Sequence, residues 1–244
     1  MHLVLCSEND RPALWAYQKL REAGLAPIEL VTASSLDGAR SWTQCLGECD
    51  ELTFELDDGR SFSSLQIQGV LNRLVAAPEG IARRAVAEDR EYAAAEAAAF
   101  YLGWLHGLRG VINTPTPQGL CGSWRHASEW AVLAARAGLE VPIFRQMSGE
   151  PPQFGFQSLA PAHATVHSLL VLRGNLYAAP VPGEIGAACR ELAALAGTDL
   201  LGIDLFESDR GLMFAHATPF PDLTLGGDAL IDGLGRAFGA AAAR

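Results

Sequence analysis

The chain opens on a short apolar run, HLVLC, which predicts a first β-strand. From Arg11 to Gly24 the apolar positions Leu14, Tyr17 and Leu20 fall at helical spacing. Pro12 sits in the opening turn of this helix and Gly24 acts as its stop. PIELVTA then reads as a second strand. This β-α-β start carries no G-x-G-x-x-G, so it predicts a parallel sheet without a dinucleotide fingerprint. Residues 41–68 are less regular, but ELTFELDDGRSFSSLQI alternates around Asp57-Asp58-Gly59 as a hairpin would. GVLNRL (69–74) is a short, nearly all-apolar strand that carries Asn72 and Arg73.

Alanine's intrinsic propensity makes residues 85–108 the strongest helix of the chain. GVINTPTP (110–117) predicts a strand that breaks at its prolines, followed by a helix over about 124–138 that stops at Gly138. Residues 147–162 are rich in proline and glycine and read as a loop. VHSLLVLRGNLYAAPV is a hairpin turning at Gly174-Asn175. EIGAACRELAALAG is a helix, and LLGIDLFESDRGLMFAHATPF is a second hairpin with Asp209-Arg210-Gly211 at its turn. GGDALIDGLGRAFGAAA closes as a helix. The expected class is α/β, with a parallel-sheet lobe over 1–115 and an α+β lobe over 116–244.

Charge and composition narrow the partners. The 244 residues carry a net charge of -10 with no clustered basic face, which argues against nucleic acid and anionic membranes as partners. No apolar run approaches a membrane span, and the start lacks a basic n-region and a cleavage site, so a cytoplasmic location is expected. The five cysteines (Cys6, Cys45, Cys49, Cys121 and Cys189) are scattered and predict free, mostly buried thiols. Cys45 and Cys49 are the only close pair, with no further metal ligands nearby. Lys19 is the only lysine and the remaining basic residues are arginines, which excludes lysine chemistry from the second half of the chain.

Several side chains could carry chemistry. Asn72-Arg73, ending an apolar strand, would suit bidentate binding of a substrate carboxylate, or else the capping of carbonyls between lobes. His163 and His167 share a face if HATVH is a strand. Trp104, Trp124 and Trp130 are placed for packing. No G-x-S-x-G, H-E-x-x-H or Walker loop is present.

The segment LLGIDLFESDRGLMFAHATPFPDL resembles the signature of ATP-grasp ligases, the family of glutathione synthetases, ribosomal-protein glutamate ligases and graspetide macrocyclases. There, a strand with G-[IV]-D is followed by a turn and a strand reading E-V-N-P-x-P. GVLNRL, the helix with Tyr92 and Glu96, VINTP and the helix ending ARAGLEVP resemble, in that order, the stretch leading into an ATP-grasp domain. The resemblance implies ATP-dependent activation of a carboxylate for attack by an amine, with magnesium held by the Asp of G-I-D and the Glu and Asn of E-V-N. Matched residue by residue, Asp204 keeps the acid, while His216 and Thr218 occupy the Glu and Asn positions. Between Pro142 and Val166 about twenty residues stand where the family carries a nucleotide-clamping subdomain. The helix lysine that reaches ATP is replaced near Ala127, with Arg125 two residues away.

These departures make Asp204 the best catalytic candidate, with Asp204, His216 and Thr218 as degenerate metal positions and Asn72, Arg73 and Arg125 for substrate. Three functions follow. The first is a pseudo-ligase that binds a small molecule, a peptide or a partner protein such as a full-length ATP-grasp enzyme, without ATP. The second is an active ligase that uses ATP and magnesium, with Arg125 and Arg145 at the phosphates. The third is a metal protein using His216 with Asp204 and His126 or Cys121. A homodimer is compatible with all three.

Overall fold

The computed structural model describes residues 1–45, 47, 51–143, 158–161, 163–178 and 180–242. They form two compact units: Met1–Gly122 together with the chain from Ile231 onward, and Ser123–Leu230. No helix among the described residues is long and apolar enough to cross a membrane.

In the first unit, β1 (His2–Cys6), β2 (Ile28–Thr32), β6 (Gly69–Asn72) and β7 (Val111–Ile112) form an all-parallel sheet of order β2-β1-β6-β7. All five residues of β1 are buried, as expected for a central parallel strand covered on both faces. The first crossover is α1 (Arg11–Glu22). Asp10 caps it by accepting from the Ala13 amide, and proline stands in its first turn. A short α2 (Ala33–Asp37), capped by Thr32, follows β2 directly.

The hairpin around Asp57-Asp58-Gly59 is present as β4 (Glu51–Glu55) and β5 (Ser61–Ser63). A further strand, β3 (Ser41–Cys45), pairs with β4 to make a separate antiparallel sheet. Phe54, Phe62, Phe100, Tyr101 and Trp104 join this sheet to the long helix as one aromatic cluster. The predicted 85–108 helix is shorter than alanine's propensity alone implies. α3 (Gly80–Arg84) and a 3₁₀ turn at Ala87–Asp89 come first, Val86 between them is extended, and α4 runs Arg90–Gly107. The GVINTPTP strand reduces to two residues, because Asn113 turns to a left-handed φ of 61° ahead of the prolines.

The second unit is an antiparallel sheet, β11-β10-β8-β9, built from β8 (Val166–Leu172), β9 (Asn175–Ala178), β10 (Leu200–Ser208) and β11 (Gly211–Thr218). One face packs Leu169, Val171, Leu201, Ile203 and Leu205 against α5 (Ala127–Arg136) and α6 (Gly183–Ala196). The first hairpin turns one residue earlier than predicted, at Arg173-Gly174. Both residues have positive φ, 46° and 76°, as a two-residue primed turn needs. α7 (Gly227–Ala242) closes the chain. Parallel and antiparallel sheets thus occur in the order expected. The Pro/Gly segment, Arg145 and Cys49 lie largely or wholly outside the described residues.

Candidate functional site

The second hairpin builds the site. β10 and β11 turn at Asp209-Arg210 and pair so that Asp204 faces His216 and Gly202 faces Thr218. Between Asp204 and Leu205 the register shifts, and Ala215 is the extra residue on β11. A bulge of this kind re-aims side chains locally. Here it lies beside the Asp204–His216 pair. Asp204 also faces Ser168 on β8, so three polar side chains from adjacent strands meet on one face. Ser168 Oγ donates to Asp204 Oδ1 at 2.6 Å, and His216 Nδ1 stands 3.6 Å from Asp204 Oδ2. Burial alone would raise the Asp204 carboxyl. The hydrogen bond from Ser168 and the imidazole of His216 beside the carboxylate outweigh it and leave the group below the usual carboxylate range.

Beside this pair lies a cavity of about 450 Å³ lined by Trp124, Arg125, His126, Ala127, Trp130 and the β11 residues His216, Ala217, Thr218 and Pro219. Trp130 is buried and forms part of the core. Trp124 is 67% exposed and stands as a wall, not the packing residue its spacing predicts. Arg125 lies over the Trp130 ring, 5.6 Å from its centroid, and donates through Nη2 to the Ala196 carbonyl at 3.0 Å. Its Nε is buried with no hydrogen-bond partner among the described residues. His126 caps α5: its Nδ1 accepts from the Ser128 amide, while the Glu129 carboxylate accepts from the His126 amide. The pocket therefore offers indole faces, two imidazoles and a guanidinium.

The G-I-D and P-x-P elements have a packing reason as well. A Cβ on Gly202 would fall 2.7 Å from Pro221 Cβ and 3.3 Å from Thr218 Cγ2. Only glycine lets the segment after β11 fold back over β10, so these two motif residues specify one another.

Of the residues singled out from sequence, Asp204, His216, Thr218, Arg125 and His126 gather here. Asn72, Arg73 and Cys121 belong to the first unit. The carboxylate that the Arg73 fork meets is Asp10, at 2.6 Å from Nε and 3.1 Å from Nη2, with both side chains buried. Asn72 donates to the carbonyls of Asn113 and Leu120. His163 lies in a turn before β8, so it does not share a strand face with His167, which meets Glu207 at 2.8 Å. Burial pushes the Cys121 thiol up to about 11. Ser168 and Asp10 were missed. The only sequence signal for Asp10 was its place just ahead of Pro12, as a helix cap.

Magnesium requires several oxygen ligands in near-octahedral geometry. The donors present do not fit it. Asp204 is the one carboxylate of the three positions and its Oδ1 accepts from Ser168, His216 presents an imidazole, and Thr218 Oγ1 accepts from the Phe220 amide at 3.1 Å. Among the described residues, no group of three His, Cys, Asp or Glu is placed to hold a metal ion.

No protein-family model and no curated protein sequence matches the chain. Solved structures do. The macrocyclase MdnC bound with precursor peptide MdnA from Microcystis aeruginosa MRC is similar at 10% identity with a TM-score of 0.67, over 91% of this chain and 92% of that one. A RiPP-associated ATP-grasp ligase from Chryseobacterium gregarium, in complex with ADP and a leader and core peptide, gives 12% and 0.68, over 97% and 94%. The ATP-grasp ligase PsnB with minimal precursor, Mg and ADP gives 14% and 0.62, over 100% and 98%. The chain has the ATP-grasp fold.

Proposed function

We propose that this chain is an ATP-grasp-like pseudo-ligase that binds a peptide in the Trp124–His216 pocket without ATP-dependent chemistry. The observation that carries the reading is the Asp204–His216 pair. The one acid retained from the metal-binding trio is tied to an imidazole and to the Ser168 hydroxyl, where an oxygen cage would be needed. An exposed indole, a guanidinium with an unmet donor and two imidazoles in a half-open cavity suit a peptide side chain and its backbone amides. Structures of the same fold bound to precursor peptides support a peptide as the ligand class.

A second reading, an active carboxylate–amine ligase with an atypical site, is favoured by the near-complete overlap with the PsnB–Mg–ADP complex. One experiment separates them. Titration calorimetry with Mg·ATP is expected to show no saturable heat, and micromolar binding would overturn the pseudo-ligase reading. A displayed random-peptide library would then be selected on the wild-type protein. The recovered peptides should bind without nucleotide and shift tryptophan fluorescence. They should lose affinity for Trp124→Ala and His216→Ala, and equal binding to both variants would remove the pocket from the proposal.

A further inference from the structure

From Ile231 onward α7 belongs to the first unit. Ile231, Leu234 and Phe238 recur along it at helical spacing and are buried. Phe238 closes on His2 of β1, with ring centroids 5.0 Å apart and planes tilted by 33°. His2 is 6% exposed, and its Nδ1 is buried with no hydrogen-bond partner among the described residues. A buried imidazole with an unmet nitrogen calls for an explanation, because most buried polar side chains are paired.

The neighbouring strand supplies the local cause. Gly69 of β6 lies beside His2 in register. A Cβ at Gly69 would stand 2.5 Å from Phe238 Cδ1 and 3.1 Å from His2 Nδ1. The glycine that makes room for the Phe238 ring therefore also leaves Nδ1 without a side chain to meet. A neutral ring with its proton on Nε2 tolerates this, since only a lone pair goes unmatched. A protonated ring places a charged N–H at the same dry spot, which is far more costly. Cation–π attraction to Phe238 offsets part of that cost but supplies no acceptor.

No opposite charge relieves it either. Against the ring, β2 contributes Ile28, β6 contributes Gly69 and α7 contributes Phe238, and none of these titrates. Glu29, the next residue of β2, is held by Arg60 at 3.0 Å, and the α7 charges Asp232 and Arg236 are exposed. The charge that does act on His2 is the adjacent Met1 ammonium, which has the wrong sign. Burial first, and this ammonium second, hold the imidazole below its ordinary value of 6.5.

We propose that His2 is a proton-operated latch on α7: the neutral ring lets Phe238 close the helix over β1 and β6, and the protonated ring loosens it. The sign follows from linkage. A histidine lowered by closure takes its proton more readily when the helix is away. Closure is therefore unpenalised above 6.5, weakens as pH falls below that value, and is weakened in full once pH is below the lowered value of the closed state.

The test is hydrogen exchange on peptides spanning residues 231–238, in wild type and His2→Phe at matched pH. Intrinsic exchange rates and the titration of every other group are common to both proteins and cancel in the ratio. Between pH 7.5 and pH 5 the wild-type rate should rise relative to the variant by about threefold or more. His2→Leu serves as the reference where a phenyl ring overfills the site. A ratio that does not change with pH would overturn the proposal. A second measurement needs no variant to fold: NMR titration of the wild-type His2 ring should place it below 6.5, and a value at or above 6.5 would overturn the proposal as well.

Discussion

The buried ion pair of the first unit is open to a quantitative test. Arg73 and Asp10 side chains are 2% and 1% exposed and share two contacts, at 2.6 and 3.1 Å. Arg73→Met keeps most of the apolar stem and deletes the guanidinium, leaving the Asp10 carboxylate buried without its cation. Breaking a buried pair from one side costs about 3–5 kcal/mol, because the remaining charge is uncompensated. At roughly 2–4 °C per kcal/mol for a chain of this size, the melting temperature should drop by about 6–20 °C. Asp10 also caps α1 through the Ala13 amide at 3.1 Å, so its partner variant should be Asp10→Asn, which keeps an acceptor there. The double variant replaces both charges together and should recover most of the loss, leaving a coupling of at least about 2 kcal/mol.

The assay is urea unfolding, with hydrogen exchange followed on peptides from β1 and β6 so that the first unit is read by itself. A loss below about 1 kcal/mol for Arg73→Met would refute the reasoning, and so would strict additivity in the double variant. Unchanged stability with lost ligand affinity would restore Arg73 to the substrate role that its place after an apolar strand invites.

Three other outcomes follow from the same structure. Gly202→Ala should destabilise the second unit by about 1–3 kcal/mol, since its Cβ meets the rigid Pro221 ring at 2.7 Å; chemical denaturation checks it, and a neutral result would mean that the segment after β11 yields freely. Asp204 is held below its ordinary value of 3.8, so its stabilising contribution is complete above that pH and is lost as pH falls through the lower folded value. Carbon-detected NMR titration should find the carboxyl below 3.8 in the wild type and closer to it in Ser168→Ala. The thiols of Cys6, Cys121 and Cys189 are buried and pushed up to about 12, 11 and 11, so a thiolate-specific reagent at neutral pH should label exposed Cys45 quickly and these three only on unfolding.

Element order is legible in this chain because each element keeps one simple period. Apolar runs mark β1, β6 and β8, helical spacing marks α1, and glycine or Asp-Gly punctuates the hairpins. The facing of Asp204 and His216 is also legible, since a hairpin turning near Gly211 brings positions 204 and 216 within one residue of register by counting alone. What counting cannot supply is the bulge at Ala215, which depends on how two backbones exchange hydrogen bonds and not on side-chain type. Ser168 is hidden for a similar reason: its strand meets β10 across 36 positions of sequence, and nothing local marks it. Arg73 is ambiguous from sequence because an arginine after an apolar strand looks the same whether the carboxylate it meets is a substrate or Asp10, 63 residues earlier.

The same distinction bears on how the site is to be understood. Were the pseudo-ligase reading a matter of one unpartnered substitution, Asp204 would stand as a lone carboxylate beside His216. Instead Asp204 is partnered on both sides, by Ser168 from β8 and His216 from β11, and sits below the usual carboxylate range in spite of its burial. A residue with two dedicated partners from neighbouring strands is structurally integrated. Placing an acid there by His216→Glu would set two carboxylates against one another and remove the favourable imidazole, so it should raise the Asp204 carboxyl and destabilise the second unit. If this substitution instead left stability unchanged and produced saturable Mg·ATP binding, the site would be an ATP-grasp centre one residue from function, and the pseudo-ligase reading would have mistaken a recent loss for a settled new arrangement.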